Sequence, residues 1–69
     1  MLKIEINLLN ENLSWVAEIR QLNSDILYRH ILPRLQHTSY LIDFRFCERN
    51  STGIILSETG NELGHFTIL

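Results

Sequence analysis

Leu2-Lys3-Ile4-Glu5-Ile6-Asn7-Leu8 and Leu13-Ser14-Trp15-Val16-Ala17-Glu18-Ile19-Arg20 are the stretches on which the fold turns. In the first, Leu2, Ile4, Ile6 and Leu8 alternate with Lys3, Glu5 and Asn7. In the second, Leu13, Trp15, Ala17 and Ile19 alternate with Ser14, Glu18 and Arg20, and Val16 is the one apolar residue in a polar slot. Successive side chains of a strand point to opposite faces, so both stretches predict strands with one apolar and one wet face. Asn10, Glu11 and Asn12 lie between them, and Asn tolerates the left-handed backbone of a short hairpin. One competing reading exists. Val16, Ile19, Leu22 and Ile26 also fit a helical period, which would make 13–32 a single long helix in a β-α-β-β-β order. The alternation, the Trp and the Asn-rich turn favour the hairpin.

Outward from the hairpin, the alternation stops. Ser24 reads as a helix N-cap with Asp25 in the first turn, where a negative charge meets the positive end of the helix. Ile26, Leu27, Ile31 and Leu35 form an apolar stripe, with Arg29, His30 and Arg34 on its polar flank. Pro33 removes a helical hydrogen bond and disfavours helical geometry in the residue before it. The helix should end near Leu32, or kink there and continue to about Gln36. Alternation then returns. Tyr40, Ile42, Phe44 and Phe46 occupy one face of a third strand, and Leu41, Asp43, Arg45 and Cys47 the other. Asn50 to Gly53 supply turn chemistry. Ile54 to Leu56 form a fourth strand, Thr59-Gly60-Asn61 a second turn, and Phe66 and Ile68 mark a fifth strand running to the last residue. The fold class is α+β, a small mostly antiparallel sheet in the order β-β-α-β-β-β. One helix packs on the apolar face, because a one-sided sheet must cover that face.

Size and charge narrow the function. The chain has 69 residues, six Lys plus Arg against eight Asp plus Glu, and a net charge of −2. It is one domain, 1–69, and a domain this small buries only about 60% of the surface its unfolded chain exposes. The single cysteine excludes an internal disulfide. A lone thiol, an N-terminus without the apolar core of a signal peptide, and no apolar run near the roughly 18 residues of a membrane span suggest a cytoplasmic protein without a membrane partner. The acidic balance disfavours nucleic acid as a partner. Arg29, His30, Arg34 and His37 are close in sequence, but cations there complement a helix C-terminus.

Reactive chemistry is sparse. His30, His37, Cys47 and His65 lack the close spacing of a structural zinc site, so no metal is expected. Cys47 has neither a glycine turn nor a helix N-terminus beside it and reads as a small packing residue. Gly53, Gly60 and Gly64 sit in or beside turns without the spacing of a phosphate loop, and no cofactor is expected. An RNA-active enzyme or toxin would draw on Tyr28, Arg29, His30, His37 and Tyr40, which carry no diagnostic spacing. The Trp15-Val16-Ala17-Glu18-Ile19 hairpin resembles the N-terminal hairpin of HicB-type antitoxins over about the first 22 residues. The Pro-Gly element that follows in that family is replaced by Asn23-Ser24-Asp25, and the resemblance assigns no family.

The favoured expectation is therefore a protein-binding regulatory module, of the inhibitor or antitoxin kind and not an enzyme. Its partner would be another protein or a second copy of itself, taken through a sheet edge or an exposed face. The fifth strand is the candidate edge, because an unprotected edge invites another chain. The candidate partner-binding residues are His65, Thr67 and Leu69 on that strand, with Arg29 and Arg34 on the helix.

Overall fold

The computed structural model describes residues 1–35 and 42–69. Strands β1 (Leu2–Leu8) and β2 (Leu13–Ile19) form the opening hairpin. Helix α1 (Ser24–Ile31) follows, continued by a single 3-10 turn (Leu32–Arg34). Strands β3 (Ile42–Cys47), β4 (Thr52–Ser57) and β5 (Glu62–Ile68) complete one open sheet. The expected α+β fold and its element order hold. The single-helix reading of 13–32 does not, because residues 13–19 pair one-to-one with β1 from Leu8↔Leu13 to Leu2↔Ile19.

The strand order is β2-β1-β5-β4-β3, and every neighbouring pair is antiparallel. This corrects the expected position of the fifth strand. β5 is central, paired with β1 through Ile6↔Phe66 and with β4 through Gly53↔Phe66. The edges are β2 and β3. Closing β5 onto β1 brings the two ends of the chain side by side, and the Leu69 amide donates to the Lys3 carbonyl at 2.9 Å.

The alternation places Ile4, Ile6 and Leu8 of β1, Ile55 of β4, Phe66 of β5 and Ile42 of β3 on one buried layer. Leu27 and Ile31 of α1 are buried against it, and Ile26, Leu32 and Leu35 pack at its margin. The helix is capped by Asn23, whose Oδ1 accepts from the Ile26 amide at 2.9 Å, and not by Ser24. The cap is one residue earlier because Asn23 keeps an extended backbone (φ −150°, ψ 165°), the geometry an N-cap needs. Pro33 ends the α-helical bonding as expected. It occupies the start of the 3-10 turn, where its missing N–H costs no hydrogen bond.

The β3–β5 half of this layer is aromatic. Phe66 stacks on Phe46 (ring centroids 6.0 Å, 5° between planes) and meets Phe44 edge-on at 6.4 Å, while Phe44 meets Tyr28 edge-on at 5.7 Å. Two glycines serve this packing and do not make turns. A side chain at Gly53 would enter the Phe66 ring, and one at Gly64 would strike the Asn7 carbonyl of β1. The turns instead use Asn12 (φ 50°), Ser51 (φ 54°) and Gly60 (φ 87°). Cys47 is exposed on the helix-free face, and so is not the packing residue that its apolar character suggests. The strand ends there, paired with Thr52 of β4.

Candidate binding edge

Backbone direction decides which groups an edge offers. The Lys3 carbonyl bonds β5 through Leu69, and the Leu9 amide bonds the Leu63 carbonyl. Odd-numbered residues of β1 therefore face β5, and even-numbered ones face β2. On β2, the partners of the even residues are Leu13, Trp15, Ala17 and Ile19. The intervening Ser14, Val16 and Glu18 turn their N–H and C=O groups away from the sheet. Among the described residues nothing pairs with those groups, and all three side chains are exposed. The strand is seven residues long, contains no proline and runs without a bulge.

The other edge is partly capped. On β3, Ile42 turns its backbone outward, and the Tyr28 hydroxyl takes both groups. It accepts from the Ile42 amide at 3.0 Å and donates to the Ile42 carbonyl at 3.2 Å. Two residues on, the outward Phe44 amide donates to the Asp43 carboxylate at 2.9 Å. A helix side chain and a local carboxylate thus occupy three of the outward groups that another strand would need, at Ile42 and Phe44.

The expected binding residues fall apart in space. His65 and Thr67 lie on the helix-free face of the central strand, opposite Asn7 and Ile54 and opposite Glu5 and Thr52 respectively. The backbone of β5 is already paired on both sides, so strand capture there is ruled out. Arg29 is exposed and pairs with Asp25 at 3.3 Å, one helical turn away. Arg34 extends over the Trp15 ring of β2, with its guanidinium carbon 4.3 Å from the ring centroid. The RNA-active set is not assembled among the described residues. Tyr28 is engaged on the backbone of β3, His30 lines a cleft between α1 and the end of β2, and His37 and Tyr40 lie outside the described residues.

The clefts hold no convergent chemistry. One of about 280 Å³ gathers Glu18, Arg20, Arg29 and His30 beside Ile19 and Ile26. One of about 520 Å³ at the opposite end is lined by Ser57, Glu58, Thr59, Asn61 and Glu62. Three of its polar residues bond to one another, with Ser57 Oγ 3.0 Å from Thr59 Oγ1 and accepting from the Asn61 amide at 3.1 Å. No cluster of three His, Cys, Asp or Glu side chains that could hold a metal occurs among the described residues. No helix among them is long and apolar enough to cross a membrane.

Sequence reasoning missed Ser14, Val16 and Glu18 because strand order was invisible to it. The available signal was Val16, an apolar residue in a polar slot of a strand without proline. Comparison with known proteins gives no match. No family model, no curated protein and no solved structure is significantly similar to the chain.

Proposed function

We propose that this protein is a small protein-binding module that captures an extended segment along the outer edge of β2. The observation that carries this reading is the contrast between the two edges. Among the described residues nothing takes the outward backbone groups of Ser14, Val16 and Glu18, while Tyr28 takes both groups of Ile42 and Asp43 takes the Phe44 amide. An added strand gains main-chain hydrogen bonds along its length, and alternate side chains set its specificity. Such a surface acts by occupying another protein, as an inhibitor or antitoxin does. Its side chains supply recognition: Val16 at the middle of β2 on the helix-free face, and Trp15 beneath Arg34 on the opposite face.

Val16→Pro tests the reading. The Val16 N–H points away from β1, so proline removes a donor that the fold does not use. The variant should keep the far-UV circular dichroism of the parent and lose the partners that the parent retains from a cell extract. Equal retention of the same partners by parent and variant would show that binding does not use this edge.

A further inference from the structure

We infer that the segment captured at this edge is β2 of a second copy, paired antiparallel about a two-fold axis at Val16. The inference rests on the strand-addition reading and supplies its partner. The outward residues Ser14, Val16 and Glu18 are symmetrically spaced about Val16. An antiparallel mate centred there forms three pairs with both hydrogen bonds in each: Ser14 with the mate's Glu18, Val16 with Val16, and Glu18 with Ser14.

The side chains agree with this register on both faces. On the helix-free face the Ser14 hydroxyl meets a Glu18 carboxylate, a donor against an acceptor, at two symmetry-related places. Val16, 53% exposed in the single chain, is covered by its own copy at the axis. On the helix-side face Trp15 lies beside the mate's Ala17, large against small, and Leu13 lies beside the mate's Ile19.

Neighbouring registers match less well. Centring on Trp15 stacks two indoles and offers Glu18 only the start of the strand. Centring on Ala17 puts Val16 against a carboxylate. Because the axis stands perpendicular to the sheet, the two apolar layers become one, and both helices lie on the same side. The result is a closed, isologous dimer with a ten-stranded sheet, whose remaining edges are the two β3 strands, partly capped by Tyr28 and Asp43.

The contact is one strand wide and belongs to the weak class of interfaces. Sedimentation equilibrium of the reduced protein should give a monomer–dimer equilibrium with a Kd on the order of 0.1 mM. Ser14→Glu sets two like-charge pairs against Glu18 and should weaken dimerisation about tenfold, while Ser14→Lys should strengthen it. In a Cys47→Ser background, Val16→Cys should cross-link on oxidation and Ala17→Cys should not. A hydrogen-bonded pair at the axis sets the Val16 Cα atoms about 5.5 Å apart, within disulfide reach.

A monomer at about 2 mM overturns the inference, as does a dimer indifferent to the charge at position 14. A monomer that still takes up a different protein, and loses it on Val16→Pro, overturns self-pairing and leaves strand addition standing. A dimer or complex unchanged by Val16→Pro overturns both.

Discussion

The two edges of this sheet are built from similar strands and finished in opposite ways. β3 and β2 are both short, carry aromatic residues on the helix side and place charge on the open face. At β3 the finishing groups come from elsewhere in the chain and from the strand itself: the Tyr28 hydroxyl spans the backbone of Ile42, and Asp43 holds the Phe44 amide. At β2 the 3-10 turn after α1 reaches over the strand through Arg34. Arg34 covers the Trp15 ring, and among the described residues nothing takes the outward peptide groups of Ser14, Val16 and Glu18. A protein that needed only to avoid aggregation would close both edges. The contrast between a partly capped β3 and β2 is what the proposed strand addition rests on.

The largest way to break the comparison is to treat the central strand as if it were an edge. Thr67 lies on β5 between Glu5 and Thr52. Thr67→Pro should remove a ladder bond and cost about 3 kcal/mol or more, enough to unfold a domain this small. Val16→Pro should stay within about 1 kcal/mol of the parent. Urea denaturation of the two variants separates them, and similar midpoints would refute the strand order.

Gly53→Ala probes the aromatic half that supports β3. Its methyl group would enter the space of the Phe66 ring, and the overpacking should cost about 1–3 kcal/mol. A thermal midpoint unchanged from the parent would mean that the ring moves aside freely.

Tyr28→Phe sharpens the contrast most directly. It keeps the ring against Phe44 and deletes the hydroxyl shared by both Ile42 groups. We expect a loss of about 1–2 kcal/mol and faster hydrogen exchange at the Ile42 amide, since β3 then resembles β2. Unchanged exchange there would show that the hydroxyl does not guard the edge.

Arg34→Gln should have the smallest effect. The pair with Trp15 is partly exposed, so about 0.5–1 kcal/mol is at stake, with a shift in Trp15 fluorescence as its ring is uncovered. An emission spectrum identical to the parent's would place the guanidinium away from the ring in solution.

Much of the architecture was legible in the residues. Leu2–Leu8 keeps a strict two-residue period and Leu13–Ile19 keeps it but for Val16, and with an Asn-rich turn between them the hairpin outweighed the helical reading of 13–32. Pro33 marked the end of α1, because a missing N–H acts on its own turn whatever the surroundings. Which strands form the edges was not legible. His65, Thr67 and Leu69 stood out because their strand comes last in the chain, whereas an edge is defined by what lies beside a strand. Cys47 likewise read as buried from its chemistry, although its position at the tip of β3 leaves it exposed.

The sequence by itself determined which residues form strands, where the helix stops and which face of the sheet is apolar. All three depend on interactions within a few positions: side-chain alternation, capping, and the covalent geometry of proline. Only the tertiary structure decided that β5 pairs with β1, that β2 and β3 are the edges, and that Tyr28 reaches fourteen residues along the chain to cap part of one of them. Pairing between distant strands depends on how the whole apolar face is covered at once, and no local pattern records that choice.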